Sequence, residues 1–96
     1  MDELKAHVEQ LLSCKVKKHV GEKAVDETFK GLPVWQGTVH EFLIEGHPQT
    51  NTCYAWSSPI EGSERRKFYA VLKTPPINSP QDAVRAAIVS DHKQSG

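Results

Sequence analysis

The sequence predicts an α+β domain in the order helix, three-stranded antiparallel sheet, helix (α-β-β-β-α), with the two helices on one face of the sheet. Three observations predict it. Leu4, Val8, Leu11 and Leu12 form an apolar stripe at helical spacing. Runs rich in Val, Thr, Trp, Phe and Ile occupy the middle and close in turn chemistry. A stripe of small residues behind a strong cap stands near the end.

The first element is an amphipathic helix over about residues 2–18. Asp2 and Glu3 lie in its first turn and Lys15, Lys17, Lys18 and His19 near its end, the charge order that the helix dipole favours. Gly21 offers a stop. The segment 20–33 is variable in character, because Val25 and Phe29 fit either a short helix or the first arm of a hairpin. Lys30-Gly31-Leu32-Pro33 reads as a turn.

Strands follow at about 34–44, 52–57 and 68–73. Gly37, inside the first of these, signals a bulge or a close backbone approach, and Glu45-Gly46-His47-Pro48 turns the chain. Residues 58–67 make the next loop, and Thr74-Pro75-Pro76 ends the third strand because proline cannot donate to a ladder. The last helix spans about 80–91. Ser79 is placed to cap it, Pro80 occupies the first helical position and Asp82 the third. Pro80, Ala83, Val84, Ala87 and Ile88 then give it a small, smooth face for close packing on the sheet. Residues 92–96 read as a polar tail.

The chain has 96 residues, so residues 1–96 make a single domain. Twelve Lys plus Arg balance twelve Asp plus Glu, which excludes a polybasic or acidic-tail protein. No apolar run approaches the roughly 18 residues of a membrane span. The acidic opening Met1-Asp2-Glu3 lacks an apolar signal core, which sets the expectation of a cytoplasmic protein without membrane partners and with Cys14 and Cys53 as free thiols.

The element order is similar in topology to the double-stranded-RNA-binding domain, and Ser79, Ala83 and Ala87 match the spacing of small residues in that family's last helix. The resemblance implies a helix-sheet-helix fold and RNA as a partner. The chain departs from it where the family places lysines after the serine: here stand Pro80, Gln81 and Asp82, and Asp82 repels phosphate. The stretches Cys53–Pro59 and Asp82–Val89 also resemble short bacterial proteins of unassigned role, which imply no activity.

Function is sought in the strands. Residues 52–57 alternate between a small set, Cys53, Ala55 and Ser57, and a large set, Thr52, Tyr54 and Trp56. With both helices packed on the small side, Tyr54 and Trp56 stand on an open face with Trp35 and Tyr69, a surface for a protein partner or a second copy. The competing reading is that residues 20–33, with Val25, Phe29 and Leu32, fold over those rings. The alternative function is nucleic-acid binding through Lys15, Lys17, Lys18, Arg65, Arg66 and Lys67, with Tyr54, Trp56 or Tyr69 as stacking platforms. Glu61 and Glu64 precede the second basic run, and an exposed loop of self-compensating charge explains it better, without any ligand.

No cofactor is expected. His40, His47 and Cys53 match no zinc spacing, so no metal is expected either, and His7 and His19 read as solvated. A catalytic Cys53 would need His40 as base and a depressed thiol pKa. No phosphate loop or nucleophile-elbow motif is present, and the reading is non-catalytic.

Overall fold

The computed structural model describes residues 2–60 and 62–95. Two helices frame four strands: α1 (Asp2–Leu12), β1 (Lys15–Phe29), β2 (Leu32–Glu45), β3 (Thr52–Pro59), β4 (Arg66–Leu72) and α2 (Pro80–Ser95). The expectation of a three-stranded sheet is therefore corrected. The sheet is an antiparallel meander hydrogen-bonded in the order β1-β2-β3-β4. Register shifts at Val16/Lys18, His19/Gly21 and Glu27/Thr28 bend its long β1–β2 ribbon, and the whole curls into a half-barrel of five strand segments.

The first helix ends six residues earlier than its charge pattern suggests because Ser13 takes a left-handed conformation, with φ of 51°. The Cys14 N–H then donates back to the Glu9 carbonyl at 3.2 Å, the six-to-one bond of a Schellman cap. The Glu9 carboxylate also accepts from the Val16 N–H at 2.8 Å, tying the cap to the first strand residues. Lys15, Lys17 and Lys18 are thus strand residues and not a helix terminus.

Residues 20–33 become the rest of β1, its hairpin turn and the start of β2. Phe29 pairs with Leu32 across Lys30 and Gly31, whose φ values of 54° and 78° are both left-handed. That is the two-residue turn whose twist matches paired strands. The peptide Pro75–Pro76 beyond β4 is cis. At Ser79 the hydroxyl oxygen accepts from the Asp82 N–H at 3.2 Å, and the Asp82 carboxylate accepts from the Asn78 N–H at 3.1 Å, so the expected cap forms. The helix behind it runs on to Ser95, through most of the stretch read as a tail; Gly96, like Met1 and Glu61, lies outside the described residues.

The helices lie on opposite faces of the sheet, not on one. Leu4 and Val8 of α1 pack over Phe42, Ile44, Cys53 and Ala55. Ala83 and Val84 of α2 pack over Val25, Val39, Tyr54 and Trp56. Volumes decide the pairing. The small side of β3 receives the large residues of α1, and its large aromatic side receives the small face of α2, leaving a cavity of about 30 Å³ among Trp35, Trp56, Tyr69, Val84 and Ala87.

Candidate functional site

The open aromatic face does not exist. Tyr54 is 1% exposed and Trp56 is 2% exposed, both beneath α2. Trp56 stacks on Tyr69 with ring centroids 5.2 Å apart, and Trp35 tilts against it at 6.1 Å. The Trp35 indole N–H donates to the Ser58 hydroxyl, and its ring lies against Gly37, where a Cβ would come within 2.7 Å. Gly37 thus marks the close approach that its place in a strand signalled. Val25 joins the same cluster from β1, so part of the 20–33 segment does cover these rings; Leu32 is exposed, and the Phe29 side chain lies outside the described residues. Buried rings cannot serve as stacking platforms, which leaves the nucleic-acid alternative without Tyr54 and Trp56.

The two basic groups stand on the outermost strands of the sheet order, Lys15, Lys17 and Lys18 on β1 and Arg66 and Lys67 at the start of β4, with Arg65 just before it. Arg66 donates from Nε to the Ser57 hydroxyl at 2.9 Å and from its terminal nitrogen to the Ser57 carbonyl at 3.2 Å. The Lys67 ammonium lies 5.0 Å from the centre of the Tyr69 ring.

Strand β4 has a second property that follows from its register. The Lys73 N–H donates to the Thr52 carbonyl at 3.0 Å, making Thr52 and Lys73 a hydrogen-bonded pair. The pairing runs from Cys53↔Leu72 to Pro59↔Arg66 without a register shift, so narrow and wide pairs alternate along it. The N–H and C=O of Phe68 and Ala70 therefore point away from β3, along the sheet edge. Beside that edge a groove of about 240 Å³ is lined by Tyr69, Ala70 and Val71 of β4 and by Ala86, Ala87 and Ser90 of α2. On the other face His7 of α1 stacks on Phe68, with centroids 3.8 Å apart and planes within 5°. An outermost strand whose backbone groups point away from the sheet beside a groove is the geometry that accepts an added strand. Residue spacing alone could not show it, because it depends on which strand is outermost.

Cys53 is buried, and burial, with Cys14 and Glu41 as lesser causes, pushes its thiol up to about 12, the opposite of an activated nucleophile. Its pairing partner on β2 is Phe42, while His40 stands opposite Ala55. His40 instead meets a residue read as solvated. Its Nδ1 is 3.1 Å from Nε2 of His19, and these atoms and a carboxylate oxygen of Glu22 all lie within 4.8 Å of one another. Burial is the main cause that lowers the His40 pKa, with the neighbouring His19 adding to it and Glu22 opposing it. A helix running to about residue 18 would keep these two histidines apart; as strand residues of β1 and β2 they meet.

Between α2 and β1, Glu27 is 9% exposed and accepts from Gln81 at 2.8 Å and from Arg85 at 2.7 Å. Among the described residues, no helix is long and apolar enough to cross a membrane. No family model, curated protein or solved structure matches the chain.

Proposed function

We propose that this protein is a non-catalytic protein-interaction module that takes an extended, acidic segment of a partner as an added strand on the β4 edge. The observation that carries the reading is the outward backbone of Phe68 and Ala70, which offers two donors and two acceptors beside the α2 groove. Main-chain bonds supply affinity in this mode, and the alternate side chains of the incoming strand supply specificity. One set enters the groove beside Tyr69 and Ala87; the other meets Phe68 and His7.

Charge selects the partner. Arg65, Arg66 and Lys67 are exposed at the start of the edge. A second copy pairing antiparallel through Phe68 and Ala70 sets Arg65 of one copy against Lys73 of the other, and like charges placed opposite destabilise a ladder. An acidic strand meets no such conflict.

The test is fluorescence anisotropy with a labelled peptide of alternating Glu, Val and Thr. Ala70→Pro removes an outward donor and leaves the β3 ladder intact, a position where an edge strand tolerates proline. Binding is expected to be lost in Ala70→Pro and weakened in Arg65→Glu. Undiminished binding by a folded Ala70→Pro variant, or no binding by the wild type, overturns the proposal. Sedimentation as a dimer that Ala70→Pro abolishes would replace the peptide with a second copy.

A further inference from the structure

The geometry points to a divalent zinc-class metal site on the bulged β1–β2 ribbon, with His19 Nε2, His40 Nδ1 and the Glu22 carboxylate as ligands and an open position toward solvent. The chemistry of the set is that of borderline metals: two imidazoles and one carboxylate suit Zn²⁺ and its late first-row neighbours, whereas all-oxygen sites suit Ca²⁺ or Mg²⁺. Three protein ligands with a fourth position left open is a known zinc arrangement.

Distance supports the assignment. Zinc–nitrogen bonds of about 2.0–2.1 Å at tetrahedral angles set two ligating nitrogens roughly 3.3 Å apart. The His19 and His40 nitrogens are already 3.1 Å apart, and the Glu22 oxygen is within 4.8 Å of both. Closing on an ion therefore needs the Glu22 carboxylate drawn in and the two rings turned so that both nitrogens face the ion. A single proton shared between the imidazoles is the competing occupant of that gap.

The backbone supports it independently. His19 and Glu22 are three residues apart, so in a regular strand they would project from opposite faces. The register shift between His19 and Gly21 inserts one extra residue, and Val20 is the side chain turned out, 52% exposed. The shift leaves His19 opposite Phe42 and Glu22 opposite His40, on the face that Phe42 shares with α1. Bulges recur where a strand must re-aim a side chain. The Phe42 ring, 5.4 Å from His19 and 6.2 Å from His40, walls one side of the cluster with hydrocarbon.

Calorimetric titration of the full chain with ZnCl2 tests the site, with His19→Gln, His40→Gln and Glu22→Gln as ligand variants and His47→Gln as a control for adventitious imidazole binding. One ion per chain is expected. Each histidine variant should weaken it by at least about tenfold, the scale on which even outer-shell changes act, and His47→Gln should leave it unchanged. Co²⁺ gives a second readout, because a tetrahedral nitrogen and oxygen site produces visible absorption bands that surface-bound hexaaqua ion lacks. Zinc should also raise the melting temperature reversibly, with EDTA restoring the starting value. Absence of binding, equal binding by a folded His19→Gln/His40→Gln double variant, or a Co²⁺ spectrum without tetrahedral bands overturns the assignment in favour of the shared proton.

Discussion

Trp56 and Tyr69 are direct antiparallel partners across β3 and β4, and their rings stack with planes within 11° of each other. The pair is the floor on which α2 rests, so the aromatic content of the strands is spent on the core. Trp56→Ala should cost about 3–5 kcal/mol, measured as a lower urea midpoint, and Trp56→Phe distinctly less. A Trp56→Ala variant of wild-type stability would show that the ring is not packed as described.

Gly37 makes a sharper case, because the change adds one methyl group. A Cβ there meets the Trp35 ring at 2.7 and 2.9 Å, and that ring is held by its bond to Ser58. Overfilling of this kind costs about 1–3 kcal/mol. Gly37→Ala should be destabilised within that range and shift the tryptophan emission, while Gly37→Ala combined with Trp35→Phe should recover part of the loss.

The Glu27 carboxylate is held below its ordinary range chiefly by the hydrogen bond from Gln81, then by that from Arg85. A depressed folded pKa means that the contribution is complete above the unfolded carboxylate pKa, near 4.3, and is lost as pH falls through the folded value. Glu27→Gln should therefore be less stable than wild type at pH 7, by about 1 kcal/mol given the exposure of Arg85. The difference between the two urea midpoints should shrink on acidification. A difference independent of pH would assign the effect to packing alone.

Ser13 holds a left-handed conformation at the end of α1, where glycine is the residue without a steric cost. Ser13→Gly should raise stability by about 0.5–1 kcal/mol, read from thermal unfolding. A destabilised Ser13→Gly would mean that the helix does not end in this cap.

The cysteines should be told apart by alkylation. Cys14 is half-buried and Cys53 fully so, and burial pushes both thiols up, Cys53 to about 12. Under native conditions near pH 8, iodoacetamide should modify Cys14 first and reach Cys53 only at the rate of unfolding, as mass spectrometry would show. Rapid native labelling of Cys53 would contradict its burial.

Much of the chain was legible from residues alone. The α2 cap at Ser79 and Asp82, the break at Pro75-Pro76, the approach at Gly37 and the turn at Lys30-Gly31 all rest on local chemistry that packing does not override. Residues 13–18 mislead, and residues 20–29 leave a short helix and a hairpin arm undecided where the structure has the hairpin arm. Lys15, Lys17 and Lys18 after an apolar stripe imitate the basic end of a helix, and only the left-handed Ser13 shows that the helix has already closed. Without β1 neither the contact of His19 with His40 nor the packing of Val25 beside Tyr54 and Trp56 is visible. The placement of α2 was lost for another reason. Small residues fit a small strand face and a large one equally well in sequence, and the choice is made by the volume that Leu4 and Val8 already fill on the opposite side.

The position of α2 on the far face also gives the chain an order of events during its synthesis. The meander from β1 to β4 joins neighbours in sequence and can assemble as it leaves the ribosome, but the element that dries Tyr54 and Trp56 emerges only after all four strands. Until Pro80–Ser95 arrives, a nascent chain with four paired strands carries its indole and phenol rings in water, the state in which a chaperone that recognises aromatic surface would find it. The bond between Glu27 and Arg85, 58 residues apart, is then among the latest to form.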